Sequence, residues 1–108
     1  MDNSEDFSPI SNLVKLERLH LGNTKISDIS FIIKNKNIKY IDLSYTKVVD
    51  FFPLFNLDKL EFLDASFTKI TDISFFEKNI NLKRIKISNC KVKKYKFKRR
   101  IMVDENKF

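Results

Sequence analysis

Four residues able to bind ions or transfer protons recur at one position, 22 residues apart. They are His20, Asp42, Asp64 and Lys86. Two carboxylates held about 5 Å apart, as on neighbouring strands, are able to bind a divalent cation. In the interpretation that the sequence favours, His20 and Lys86 instead pair with the adjacent aspartates across the strands. We therefore predict neither a metal site nor a cofactor.

The other reactive side chains argue against catalysis. The only histidine is His20 and the only cysteine is Cys90. On the first and fourth of four adjacent strands they would be separated by three spacings of about 4.8 Å, far beyond hydrogen-bond reach. The sequence also lacks a phosphate-binding glycine loop and a zinc-ligand spacing. We therefore predict a protein that is not an enzyme.

The 22-residue spacing extends to the apolar residues, which indicates a repeat architecture. The stretch TKISDIS at Thr24 returns as TKVVDFF at Thr46 and as TKITDIS at Thr68. Each unit has the spacing L-x-x-L-x-L-x-x-T-x-I-x-x-I, and its L-x-L centre alternates as a strand with one buried face does. Because this spacing is kept from unit to unit, the strands should stack parallel and in register.

The rest of each unit is too short for a long crossover helix, so it should return through a turn or a short 3₁₀ segment. One aspartate precedes this segment in each unit and is expected to cap its free N–H groups. These aspartates are Asp6, Asp28, Asp50 and Asp72. We predict a repeat domain over residues 1–92, with a half repeat over 1–15 and repeats beginning near 16, 38, 60 and 82, followed by a basic cap or tail over 93–108.

This repeat pattern resembles that of leucine-rich repeat proteins, and in particular the 22-residue, internalin-like class. The motifs KISDIS and KITDIS are similar to parts of that family's repeat, and the resemblance covers about residues 4–92. It implies an α/β solenoid of about four coils, with a parallel β-sheet on the concave face, short 3₁₀ or turn segments on the convex side, and a role in binding another protein. The family's ladder asparagine is replaced here by Thr24, Thr46, Thr68 and Cys90. Smaller donors should therefore form the internal ladder.

Aromatic residues at outward positions of the two middle repeats are the main candidates for binding a protein partner. Tyr40, Tyr45, Phe62 and Phe67 should meet at the centre of the concave sheet, with charged residues around them, as in a binding hot spot. The complete predicted site is Arg18, His20, Tyr40, Asp42, Tyr45, Phe62, Asp64, Phe67, Arg84 and Lys86. In the alternative interpretation, Phe62 or Phe67 tucks under a neighbouring turn.

Positive charge is concentrated in the C-terminal segment and in one row of lysines. The net charge is +7, and residues 93–108 hold seven Lys or Arg against two acidic residues. Lysines also follow each ladder position, at Lys25, Lys47, Lys69 and Lys91. We expect Tyr95 and Phe97, which alternate with lysines, to form a last strand that covers the open core. Binding of nucleic acid or another acidic surface through these lysines is the alternative function.

We also expect a homodimer, because a concave sheet of four short strands is smaller than the roughly 800 Å² per partner of a standard interface. The candidate contacts are Ile10, Leu13 and Leu16 near the N-terminus and Tyr95 and Phe97 near the C-terminus. The acidic, polar N-terminus and the absence of a membrane-spanning run predict an intracellular protein, cytoplasmic rather than nuclear. The excess of Ile, Asn and Phe over Gly and Ala is consistent with an AT-rich genome, such as that of a virus.

Overall fold

One three-residue strand per coil builds the sheet of this protein, whose computed structural model describes residues 6–106. The strands are β1 (Arg18–His20), β2 (Tyr40–Asp42), β3 (Phe62–Asp64), β4 (Arg84–Lys86) and β5 (Met102–Asp104). They pair parallel in sequence order, and Leu19, Ile41, Leu63 and Ile85 stand in one register. This confirms the predicted solenoid with an open parallel sheet.

A five-residue 3₁₀ helix returns the chain in each of the first four coils. These helices are η1 (Ser8–Asn12), η2 (Ser30–Lys34), η3 (Phe52–Asn56) and η4 (Ser74–Lys78). The predicted aspartate caps are present: Asp28 Oδ1 accepts from the Ser30 amide at 2.8 Å, and Asp72 Oδ1 accepts from the Ser74 amide at 2.9 Å. Within residues 6–106, no helix has the length and apolar character needed to cross a membrane.

The core is a continuous apolar column between the sheet and the 3₁₀ helices. The central residues of β1 to β4 are buried, as are Ile32, Leu54 and Phe76 of the helices from η2 onward, whereas Val103 of β5 is only partly buried. A single coil has no second layer to bury this apolar side, so the stability of each coil depends on its neighbours. The sheet that holds the candidate site is therefore a rigid support.

The threonines at the ladder position bond within their own coils. Thr24, Thr46 and Thr68 each donate from Oγ1 to the carbonyl three residues earlier, over 2.6–2.8 Å. Cys90 instead reaches into the preceding coil, where its Sγ lies 3.2 Å from the Ala65 carbonyl oxygen. Thr68 Oγ1 also lies 3.9 Å from Cys90 Sγ of the next coil. The expected ladder of small donors is thus seen at this step, while the hydroxyls of the threonines otherwise close local turns.

The C-terminal coil is shorter than the others, and this corrects the expected position of the last strand. Arg84 pairs with Met102, only 18 residues later, whereas the earlier partners are 22 residues apart. Tyr95 and Phe97 lie outside any strand and pack, half-buried, against the core. The strand that covers β4 is β5. It pairs in register with β4 because the last coil is four residues shorter than the others.

Candidate functional site

Two rings on neighbouring strands form a stack on the concave face, which we call the strand stack. Tyr40 and Phe62 lie with ring centroids 4.7 Å apart and planes within 6°. The guanidinium of Arg18 lies over Tyr40 at 4.3 Å from the ring centroid, and that of Arg84 lies 5.9 Å from the Phe62 centroid. The parallel register places these four side chains in one row, because each occupies the first position of its strand.

A second stack lies just beyond the ends of these strands, and we call it the turn stack. Tyr45 and Phe67 have ring centroids 4.2 Å apart, with planes within 11°. Both residues have a positive φ of 56°, in the left-handed region. Asn23 and Asn89 hold the same place in the outer coils, with φ of 63° and 57°. Asparagine tolerates this conformation, whereas a bulky residue in it costs about 1–2 kcal/mol.

The four predicted aromatic residues therefore form two stacks, and not one central cluster. Tyr45 is the most open of them, with 52% of its surface exposed, while Tyr40, Phe62 and Phe67 are half-buried. Phe67 is half-buried and stacks on Tyr45. Each stack still presents aromatic surface on the face that the strands form.

The acidic residues between the stacks accept hydrogen bonds from backbone amides and also form part of the surface. Asp42 Oδ1 accepts from the Ser44 amide at 2.9 Å and from its hydroxyl at 2.7 Å. Asp64 Oδ1 accepts from the Ser66 amide at 3.0 Å. These bonds hold the turns that carry Tyr45 and Phe67. The two carboxylates are therefore positioning groups for the turn stack in addition to candidate contacts.

The basic residues of the same column behave differently from one another. Lys86 Nζ lies 4.0 Å from Asp64 Oδ2, as the predicted ion pairing requires. His20 instead packs its ring on Tyr40, with centroids 4.9 Å apart. Across residues 6–106, no group of three or more His, Cys, Asp or Glu side chains is arranged to hold a metal ion.

The last strand adds two residues to this face that sequence reasoning missed. Met102 and Asp104 of β5 continue the rows of Arg84 and Lys86. Asp104 Oδ2 accepts from Arg84 Nε at 2.8 Å and lies 2.6 Å from Arg84 Nη2. The sequence signal for β5 was the apolar Val103 between the outward residues Met102 and Asp104. It was missed because the last coil is shorter, so these residues do not fall at a 22-residue spacing from β4.

The two side chains with catalytic potential lie far apart in the sheet. His20 is exposed on β1, whereas Cys90 follows β4 and is buried. Cys90 Sγ is engaged with backbone carbonyls of Ala65 and Ser88, at 3.2 and 3.6 Å. The structure therefore does not bring these two residues together into a nucleophile and base.

The residues expected to mediate self-association are mostly used within the molecule. Ile10, Leu16, Tyr95 and Phe97 are half-buried and pack against the core. Leu13 is the exception, with 53% of its surface exposed. Tyr95 also donates from its hydroxyl to a Glu105 carboxylate oxygen at 2.5 Å. Burial, together with this bond and the negative charge of Glu105, raises the pKa of Tyr95 to about 12.

The fold and part of the sequence are similar to known proteins. A family model described as leucine-rich repeats in two copies matches residues 14–56. Internalin C2 of Listeria monocytogenes is 31% identical over 82% of this chain and 39% of its own, with a TM-score of 0.78. Another internalin of that organism is 27% identical over 85% of this chain and 27% of its own, also with a TM-score of 0.78.

A leucine-rich repeat protein of Leptospira interrogans shares the fold. It is 24% identical over 83% of this chain and 24% of its own, with a TM-score of 0.74. No curated protein matches the sequence. The chain thus spans between 24% and 39% of the length of these three solved proteins.

Proposed function

Because this chain belongs to the leucine-rich repeat family and its coils are internalin-like, we propose that it is a non-enzymatic module that binds a protein partner through its concave face. Solenoids of this kind generally mediate protein–protein interaction on such extended surfaces. The proposed contacts are the two stacks together with the charged side chains around them: Arg18, His20, Tyr40, Asp42, Tyr45, Phe62, Asp64, Phe67, Arg84 and Lys86.

The observation that supports this proposal most is the backbone conformation of the turn stack. Tyr45 and Phe67 occupy left-handed positions that Asn23 and Asn89 fill in the outer coils. One aromatic stack is worth about 0.5–1.5 kcal/mol beyond burial, which is less than the roughly 2–4 kcal/mol that two left-handed residues cost together at about 1–2 kcal/mol each. Stability alone thus gives no reason for aromatic residues here. Strained residues cluster at functional sites, and binding supplies such a reason.

The strand stack suggests what chemistry the partner should present. Arg84 is already paired with Asp104, whereas Arg18 lies exposed over Tyr40 and makes no ion pair within 4 Å among residues 6–106. An arginine held over an aromatic ring is preorganised to receive a carboxylate. We therefore propose a partner surface with an apolar or aromatic centre and an acidic side chain next to Arg18.

The decisive test replaces the turn stack with the residues that the outer coils use. In the Tyr45→Asn/Phe67→Asn variant, relief of strain at two residues should at least balance the loss of one stack, so the thermal melting temperature should not fall. Capture of protein partners from a lysate of the source organism, quantified by mass spectrometry, should lose the species retained by the wild-type chain. Retention of the same partners by the folded variant would overturn the proposed contact surface.

A control for this experiment is available on the same face. Asn23→Ala and Asn89→Ala change the outer members of the column and leave all four aromatic side chains of the two stacks in place. They should leave partner capture intact, although the loss of asparagine at positive φ should lower the melting temperature. Loss of capture in these variants to the same extent would indicate that the turns, and not the rings, determine binding.

The alternative function is binding of nucleic acid or another acidic surface. It is favoured by the lysine row, since Lys25, Lys47, Lys69 and Lys91 are all exposed on one side of the coils. Phosphate contacts release counterions, so affinity would then fall steeply between 50 and 200 mM salt, by about 10³ for six contacts. A weak salt dependence of partner binding would favour the aromatic face instead.

Self-association is the third part of the proposal. A homodimer would enlarge the binding surface beyond one short sheet. The contacts first expected for it are Ile10, Leu13, Leu16, Tyr95 and Phe97, of which Leu13 is the most exposed. Sedimentation equilibrium over micromolar concentrations should detect a dimer, and a mass of 12.9 kDa at every concentration would contradict it.

A further inference from the structure

A phenylalanine cluster lies on the convex side, opposite the sheet. The rings of Phe52, Phe55 and Phe75 have centroids 5.2–5.3 Å from one another. Phe55 also meets the buried Phe76 edge-on at 5.5 Å, which anchors the cluster to the core. Phe52 is 58% exposed, Phe75 39%, and the adjoining Val49 64%. We call Val49, Phe52, Phe55 and Phe75 the convex patch.

The spacing of these rings decides what kind of partner the convex patch can take. An aromatic cage for a small cation needs rings arranged around an open space, each within about 6 Å of the ion. The three rings instead touch one another and do not surround an ion; together with Asp50, Thr71 and Asp72 they line an open cavity of about 140 Å³. Contiguous exposed apolar surface of this kind marks a contact with another macromolecule.

Opposite charges line the two sides of the convex patch. Asp50 and Asp72 precede η3 and η4 and form its acidic edge. Lys34 and Lys78 end η2 and η4, and Lys36 Nζ lies 3.4 Å from the carbonyl oxygen of Asn56 at the end of η3. These three lysines form the basic edge. Because successive coils run in the same direction, the two edges lie on opposite sides of the rings.

Within the described part of the chain these edge charges form no close ion pair, although Asp50 and Asp72 each accept hydrogen bonds at their helix starts and Asp72 lies in the field of Lys93. Among residues 6–106, none of the five edge residues makes an ion pair within 4 Å. An interface with an apolar centre and a charged rim has the composition of a stable protein contact. The residues first expected to mediate self-association are, except for Leu13, already packed against the core.

We propose that the convex patch is the contact surface of a homodimer with two-fold symmetry. A rotation of 180° about an axis through the rings places the acidic edge of one copy against the basic edge of its partner. Both charge contacts then form at once, and the rings of the two copies meet in the centre. This inference rests on the proposed self-association and identifies its surface, which leaves both concave faces free for partners.

The first experiment compares two equally exposed apolar residues on opposite faces. Sedimentation equilibrium of Phe52→Ser should show a dimer weakened about tenfold or more, as for a central contact residue. Met102→Ser, on the concave face and 58% exposed like Phe52, is the matched control and should dimerise as the wild type does. Equal dimerisation of Phe52→Ser and wild type would overturn the convex surface, as would loss of the dimer in Leu13→Ser alone.

The second experiment tests the two-fold arrangement itself. An acidic-edge variant, Asp50→Lys/Thr71→Lys, changes Asp50 and the exposed Thr71 next to Asp72. It loses the bond from the Phe52 amide to Asp50 but keeps Asp72 as a cap. A basic-edge variant carries Lys34→Glu/Lys78→Glu. Each should be monomeric alone, because like charges then face each other across both contacts. An equimolar mixture should recover the dimer, since the two changed edges complement each other.

The outcomes separate this inference from the proposal on which it rests. If wild type dimerises but the mixture of the two folded variants stays monomeric, self-association stands and the convex arrangement falls. If wild type is monomeric at the highest concentration, both fall. Circular dichroism of each variant establishes that it is folded before its mass is compared.

Discussion

Arg99 binds the carbonyl oxygen of Asn79, while the side chain of Asn79 binds the coil before it. Asn79 Nδ2 donates to the carbonyls of Leu54 and Leu57, at 3.0 and 3.3 Å. Arg99 Nη2 donates to the equivalent carbonyls one coil later, including that of Phe76 at 2.9 Å. In the shortened C-terminal coil, a guanidinium thus satisfies the backbone groups that asparagine satisfies earlier in the chain.

Removal of this guanidinium should therefore destabilise the protein. Arg99→Ala removes a charged donor that the carbonyls of Phe76 and Asn79 accept in addition to backbone amides, at an expected cost of about 1–3 kcal/mol in the free energy of unfolding. Urea denaturation followed by circular dichroism measures this difference. Arg100→Ala, at the exposed neighbouring position, is the control and should change stability by less than about 0.5 kcal/mol. Equal effects of the two variants would show that Arg99 is not a cap.

Truncation after Val92 should have a larger effect than the arginine substitution. It removes β5, the half-buried Tyr95 and Phe97, and Arg99 together. β4 then becomes the sheet edge, and the end of the apolar core is exposed, so the shortened protein should melt lower or aggregate. A differential scanning calorimetry profile unchanged by truncation, together with lost binding of DNA or RNA at low salt, would instead favour the nucleic-acid function.

The sequence predicted the solenoid well, because its signal depends on local spacing repeated in every coil. The inward residues Ile41, Leu63 and Ile85 and the capping Asp28 and Asp72 all lie where the 22-residue period put them. β5 was not predicted because its coil is four residues shorter, so the 22-residue period places the next strand four residues too late in the sequence. Tyr95 and Phe97 alternate as a strand would, but their rings pack on the core from an irregular segment.

A period of 44 residues, superimposed on the shorter one, was also missed. Asn35 and Asn79 cap the preceding coils, whereas Leu57 holds the same place in the coil between them. DFSPISNLVKLERL at Asp6 likewise matches DFFPLFNLDKLEFL, which begins 44 positions later, more closely than it matches the intervening coil. An alignment at a step of 22 places these alternating residues in one column and so hides the longer period. The convex rings were missed for a different reason: Phe52 and Phe55 occur in the third coil alone, and the coil before it has Ser30 and Ile33 at these positions.

The aspartate caps should make stability depend on pH in the acid range. Hydrogen bonds from the Ser74 hydroxyl and amide, in that order, lower the pKa of Asp72 below its ordinary value of 3.8. A depressed pKa in the folded state means that the unfolded chain binds more protons. The stabilisation is therefore complete above about pH 4 and disappears as the pH falls through the folded-state pKa.

Melting temperatures of wild type and Ser74→Ala between pH 2.5 and 7 test this dependence. Ser74→Ala removes the largest cause of the shift, so its deficit relative to wild type should be largest at neutral pH and should shrink in acid. Asp58→Asn alters an exposed aspartate outside the capping position and should show no such convergence. A deficit for Ser74→Ala that stays constant down to pH 2.5 would contradict the role of the carboxylate.

Size and polarity at the ladder position should determine which substitutions Cys90 tolerates. The side chain is buried with 4% exposure, and its Sγ lies 3.2 Å from the Ala65 carbonyl oxygen. Cys90→Thr should fold normally, since Thr68 fills the same column one coil earlier and binds that same carbonyl at 2.6 Å. Cys90→Leu adds volume and removes the donor, so it should cost about 1–3 kcal/mol. A Cys90→Leu protein that melts at the wild-type temperature would mean that this column is not closely packed.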